Sequence, residues 1–419
     1  MKMRIFAGEM KYNTYTLNNG LRIIHLPSQA RVVYCGYRIG AGSRHEDQGD
    51  EGLAHFCEHA TFKGTARRKA SAILNYLEGV GGDLNAYTCK EDTTYYAAIL
   101  KEHTGRAVDL LSDMVFHSVY PQQELDKEVE VICDEIESYN DSPAELIYDE
   151  FENLVFQEHP LGHNILGGAG RVRQYTTNDA LRFTRQHYRP DNAVFFAYGD
   201  IDFHKLVRQV EKCTADLHPG SKRETTGTVT LPANNNTEGM HLIDKHTHQA
   251  HIMLGHPAYN IFDDRRIALY LLNNIIGGPG MNAKLNVALR ERNGLVYTVE
   301  SSMTSYSDTG LWCIYMGCDE HDIKKCLRLT RNVVQKFIDR PLTDRQLAAA
   351  KQQIKGQIGV ACDNRENFAL DFSKSFLHYG WEKDVTALYR QIDAVTAQQI
   401  QQAAQQIMQP EHWTTLIFK

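Results

Sequence analysis

The sequence predicts an α+β chain made of two homologous α/β sandwich domains that arose by internal duplication. Three observations carry this expectation. At 419 residues the chain exceeds the length one hydrophobic core supports. A strand–helix–strand–strand–helix order occurs twice, which is the mark of a duplicated unit of about 200 residues. Between the two runs lies the polar stretch SKRETTGTVTLPANNNTEG, rich in Gly, Thr and Asn. The expected division is therefore residues 1–218, a linker over 219–239, and residues 240–419.

In the first half, TYTLNNGLRIIHLPS reads as a hairpin turning at Asn18–Gly20, and VVYCGYRIG as the strand after it. Helical periodicity covers about Glu51–Phe62 and KASAILNYLEGV, which the Gly81–Gly82 pair ends. LNAYTCKEDTTYYAAIL alternates as two strands, and TGRAVDLLSDMVFHS is helical. A longer helix runs from about Gln122 to Tyr139, stopped by Asn140, Asp141 and Pro143. Helices near 144–156 and 177–187 lead into the buried strand NAVFFAYGD. The second half repeats the order with strand HIMLGHPAY, helices IALYLLNNIIGG and AKLNVALRERN, strands VYTVESSMTSY and LWCIYMGCD, and helix HDIKKCLRLTRNVVQKFI.

Composition narrows the class of function. Apolar residues make up 42% and charged ones 23%, and the formal charge is only −7, so concentrated Lys and Arg for nucleic-acid binding are absent. No apolar run reaches the 18 or so residues of a membrane span. The opening MKMRIFAGEMKYNTYTL lacks the apolar centre of a signal peptide, and a bacterial cytoplasmic location is expected. Nine cysteines, an odd number without a CxxC pair, read as reduced and mostly buried thiols.

Chemistry concentrates in HFCEHATFKG. On a helix, His55 and His59 stand one turn apart on one face and can aim ring nitrogens at one ion. Glu58 lies close to that face, placed to serve water held by a metal and badly placed to be a ligand beside His59. Catalytic zinc takes about three protein ligands and a water, so another ligand must come from elsewhere. A bare HxxEH also arises by chance, and the motif alone leaves both readings open. Downstream, KEVEVICDEIESYNDSP sets Glu128 and Glu135 two turns apart on one helix face, among apolar Val129, Val131, Ile132 and Ile136. Buried carboxylates are costly unless paired or metal-bound. Glu135 as third zinc ligand, with Glu128 supporting it from behind, would satisfy both, whereas Glu130, Asp134 and Glu137 fit a solvated face.

The HxxEH motif followed 76 residues later by Glu135 resembles the pitrilysin/insulinase family of inverted-motif zinc metallopeptidases. GDLNAYTCKEDTTYY is similar to that family's active-site edge strand, YRPDNAVFFAYGD to the close of its first repeat, and GGPGMNAKLNVALRERNGLVYTV to a segment of its second. With two repeats and no more, the chain is most similar to the processing-peptidase-like branch. The resemblance implies a LuxS/processing-peptidase-like metalloenzyme fold forming half of a clamshell. It implies one Zn2+ per chain on His55, His59 and Glu135, with Glu58 as general base and Glu128 as accessory glutamate. It further implies that Arg290 and Tyr297 contact the substrate carbonyl and that Asn85, Ala86 and Tyr87 belong to a strand pairing with extended peptide. The first domain would then be the zinc-binding catalytic one, and the second would add the Arg and Tyr contacts.

The implied activity is that of a zinc endopeptidase on peptides or unfolded segments inside a closed chamber, with a non-catalytic scaffold or partner subunit as the competing reading. Because the chain carries both the metal motif and the Arg–Tyr pair, a homodimer is the expected assembly, with a heterodimer with an inactive paralogue as the alternative. His241, His246, His248, His251 and His256 lack carboxylate or Cys partners at metal spacing, and no second zinc site is expected. IIGGPGMN lacks the Lys-Ser/Thr of a phosphate loop, and Cys57 reads as a packed thiol off the ligand face.

Overall fold

The computed structural model describes residues 11–220 and 237–419, so most of the expected linker lies outside the described residues. The first half runs β1 (Asn13–Thr16), β2 (Arg22–Pro27), β3 (Val32–Ile39), α1 (Leu53–Thr61), α2 (Ala70–Glu78), β4 (Asp83–Thr88), β5 (Thr93–Leu100) and α3 (Thr104–His117). It continues with α4 (Gln122–Asn140), α5 (Pro143–Val155), α6 (Ala169–Val172), α7 (Thr177–His187), β6 (Ala193–Gly199) and α8 (Phe203–Cys213). The second half runs β7 (Gly239–Ile243), β8 (Ala250–Ala258), α9 (Arg266–Gly277), β9 (Val296–Ser305), β10 (Gly310–Cys318) and α10 (Ile323–Asp339). Then come α11 (Asp344–Cys362), α12 (Arg365–Tyr379), α13 (Val385–Ala394), α14 (Ala397–Ile407) and β11 (Thr414–Phe418).

The duplication is visible in the sheets. One has the order β1-β2-β6-β3-β5-β4 and the other β7-β11-β8-β10-β9. After β1, position matches position, including the parallel pairs β2–β6 and β7–β11 within otherwise antiparallel sheets. Each order ends on a strand, β4 or β9, whose outer edge pairs with no other strand among the described residues.

The compact units are not the two sequence halves. Among the described residues, one unit comprises residues 11–137, 163–220 and 360–386, and the other residues 138–162, 237–359 and 387–419. Each half thus lends a helix to the other's unit. In the first unit α12 covers the sheet, with Phe368 and Phe372 against Tyr198, and Phe372 also against Phe196. In the second, Leu146, Ile147, Phe151 and Val155 of α5 pack with Met253, Cys313, Leu416 and Phe418 of that sheet. The reason is burial. Both faces of each sheet carry apolar side chains, and its own repeat's helices cover only one.

Two local expectations are corrected. The helix expected over AKLNVALRERN is a π-turn at Asn286–Glu291, with Arg292 N–H reaching back five residues to Val287 O at 3.1 Å. Such a turn inserts an extra residue per revolution and shifts the face its side chains present. Leu285 and Leu289 remain buried while Arg290 is exposed. Val131, grouped with the inward residues of α4, points to solvent. Among the described residues, no helix is long and apolar enough to cross a membrane.

Candidate metal centre

Helix α1 begins after Gly52, which has a left-handed φ of 91° and sits where a Cβ would lie 2.6 Å from Leu166 O. Only glycine fits such a position. The carboxylate of Glu46 accepts hydrogen bonds from the N–H groups of Gly52 (3.1 Å) and Ala54 (2.7 Å), so the helix start is held by a buried anion. Leu53, Ala54, Phe56, Cys57 and Ala60 fill the core of the first unit and turn the opposite face of the helix toward α4.

On that face His55 and His59 stand with ring centroids 4.6 Å apart. Glu135 Oε2, from α4, lies 3.7 Å from His55 Nε2 and 3.3 Å from His59 Nε2. A tetrahedral zinc with bonds of about 2.0–2.1 Å sets its donors about 3.3 Å apart, so this trio fits the ion. Among the described residues one other cluster of this kind occurs, Asp319, His321 and Asp322, on the surface. The five histidines between His241 and His256 belong to neither.

The second nitrogens of the two rings differ. His59 Nδ1 and Glu128 Oε1 are 2.9 Å apart, which orients that ring and leaves Nε2 facing Glu135. Lys63 pairs with the other oxygen of Glu128. His55 Nδ1 is buried and finds no hydrogen-bond partner among the described residues. Burial pushes the His59 pKa down, but the hydrogen bonds with Glu128 and Glu135 outweigh it and raise it to about 9. Burial and the neighbouring His59 lower His55 to about 4. Glu135 is half-exposed rather than buried, and its hydrogen bond with His59 holds its carboxyl below the usual range. Of the other acids on α4, Glu130, Asp134 and Glu137 face solvent.

Glu58 is buried, and burial raises its proton affinity. Its Oε2 accepts a 2.7 Å hydrogen bond from Thr88 Oγ1, at the end of β4. Sequence reasoning missed Thr88, since nothing in a lone hydroxyl marks a partner thirty residues away. Cys57 is fully buried on the opposite side, its Sγ 3.9 Å from Ala180 O, and burial lifts its pKa well above normal.

Asn85, Ala86 and Tyr87 lie on β4, the edge strand, in register with Tyr96, Tyr95 and Thr94 of β5. Asn85 is exposed and Ala86 packs toward the core. The Tyr87 phenol accepts from the Arg38 guanidinium, which also bonds Asp92 at 2.6 Å and Ser373 at 3.1 Å. Tyr87 is thus anchored within the unit, and what β4 offers outward is main chain with the exposed Asp83 and Asn85. In the second unit, Arg290 and Tyr297 line one open pocket of about 350 Å³ together with Gly277, Gly278 and Gly280. Tyr297 is 76% exposed.

A paired-repeat α+β chain with two histidines and a glutamate converging beside a buried carboxylate defines the inverted-motif class of metallopeptidase-like proteins. Residues 22–169 match the family described as Insulinase (Peptidase family M16), and residues 174–354 match Peptidase M16 inactive domain. The chain is 32% identical over 405 residues to an uncharacterized zinc protease, YmxG, of Bacillus subtilis, covering 96% of this chain and 97% of that one. It is 33% identical over 401 residues to an uncharacterized zinc protease of Streptomyces coelicolor, covering 94% and 86%. The chain belongs to the M16 peptidase family. Its fold is shared with a protease from Helicobacter pylori (TM-score 0.89, 21% identity, 98% and 99% covered). A peptidase M16 inactive domain from Pseudomonas fluorescens is similar at TM-score 0.89 and 19% identity, with 98% of each chain covered.

Proposed function

We propose that this chain is a zinc-dependent endopeptidase acting on peptides or unfolded polypeptide segments held as an extended strand. The observation that supports this reading most is the convergence of His55 Nε2, His59 Nε2 and Glu135 Oε2 beside Glu58. One zinc ion per chain on these three residues supplies Lewis acidity toward the attacking water and the scissile carbonyl.

Glu58, with proton affinity raised by burial, takes a proton from the water and delivers it to the leaving amine. Thr88 keeps the carboxylate aimed, and Glu128 keeps His59 in one orientation. The free edge of β4 pairs with peptide main chain, which accepts many sequences, and Asn85 adds a side-chain contact. Arg290 and Tyr297 hold the substrate carbonyl as charge develops on its oxygen. A second copy of the chain completes a closed chamber, making the active form a homodimer of the processing-peptidase-like type.

The test combines zinc analysis, gel filtration with activity across the peak, and digestion of a defined peptide library read by mass spectrometry. Glu58→Gln is expected to keep its zinc and lose turnover by about 10²–10⁴-fold. One zinc per chain with no cleavage of any peptide would favour the scaffold reading. Full activity of zinc-loaded Glu58→Gln would refute the assigned base.

A further inference from the structure

Three carboxylates, Glu58, Glu128 and Glu135, crowd the two histidines. One of them, Glu128, is gripped by a lysine: Lys63 lies one turn beyond His59, just past the end of α1 at Thr61, and pairs with Glu128 Oε2. The side chain of Glu128 is 11% exposed, so it keeps little water in compensation if that cation is lost. Its other oxygen holds His59 Nδ1 at 2.9 Å. A carboxylate gripped at both oxygens has one orientation, and that orientation fixes the ring whose Nε2 faces Glu135. His55 has no comparable support, because its Nδ1 finds no partner among the described residues. Positional control of the metal centre therefore rests on the His59 side.

We propose that Lys63 is a positioning residue for the metal centre, acting through Glu128 on His59 to set zinc affinity. The inference rests on the zinc reading above but not on peptidase activity. Partners behind a ligating histidine are typically worth about 10–100-fold in metal affinity. Lys63→Met keeps the aliphatic stem and removes the charge, whereas Lys63→Arg keeps the charge.

The experiment is zinc competition between each purified full-length variant and a colorimetric chelator at pH 7. Wild type and Lys63→Arg are expected to agree within a few-fold, and Lys63→Met to bind about tenfold more weakly or worse. In a Glu128→Gln background, Lys63→Met is expected to add little further loss, because the pathway to His59 is already cut. An affinity unchanged in Lys63→Met overturns the proposal, as does an undiminished loss in the Glu128→Gln background. If Lys63→Met fails to fold, Lys63→Gln takes its place with the same expected weakening. A wild-type chain that binds no zinc overturns both this inference and the zinc reading. Zinc binding without peptide cleavage leaves this inference standing and removes only the proposed activity.

Discussion

Removing the Thr88 hydroxyl while keeping its shape, as in Thr88→Val, isolates the hydrogen bond to the base. The donor stands 2.7 Å from Glu58 Oε2, and Glu58 is only 8% exposed, so water is poorly placed to substitute. A hydrogen bond to a charged group contributes about 1.5–3 kcal/mol. Burial already raises the Glu58 pKa, and Thr88 is the foremost influence lowering it. Loss of that bond destabilises the ionised form and pushes the pKa further up. At 1.36 kcal/mol per unit the upper limit is about 1–2 pH units. A base must be ionised to act, so the acidic limb of the kcat/KM profile is expected to move to higher pH by up to that amount. Thr88→Ser should leave the limb in place. The assay is peptide cleavage by zinc-loaded protein from pH 4 to 9. An unmoved limb in Thr88→Val, or one moved to lower pH, refutes the role given to Thr88.

Further expectations concern the first unit. Arg38→Met strands the buried Asp92 with His378 as its main remaining partner, 2.9 Å away. Breaking such a pair costs about 3–5 kcal/mol, and a thermal melt should show a loss of about 6–20 °C for a unit of this size. A shift under about 2 °C would contradict it. Burial alone would raise the Asp92 pKa, but Arg38, then His378, hold it well below the usual carboxylate range. Its contribution is therefore present above the unfolded value of about 3.9 and is lost as pH falls below that toward the folded value. Unfolding measured from pH 5 to 2 should show this acid loss, and Arg38→Met should show a shallower one. Cys57 is 0% exposed with a raised pKa and should resist iodoacetamide in the native protein while reacting in denaturant. Labelling of native Cys57 at the rate of a free thiol, read by mass spectrometry, would contradict its placement.

Much of the fold was legible because its signals are local. Alternation and helical period depend on neighbours within a few residues, and they located β2, β3, α1, α4 and the repeated order of the second half. The π-turn at Asn286–Glu291 escaped because its apolar spacing, with Leu285 and Leu289 four apart, is that of an α-helix. The resemblance places Tyr87 on a strand pairing with extended peptide, and nothing near it in sequence shows that Arg38, on another strand, donates to its phenol.

The sequence by itself determined that His55 and His59 share a helix face and that Glu128 and Glu135 share another, since both facts follow from the pitch of one helix. Only the tertiary structure decided that the two faces meet with Glu135 3.3 Å from His59, that Thr88 reaches Glu58, and that Lys63 grips Glu128. The exchange of α5 and α12 between the units was likewise decided there. Contacts between elements depend on strand order and on which sheet face lacks cover, and no periodicity within a single segment encodes either.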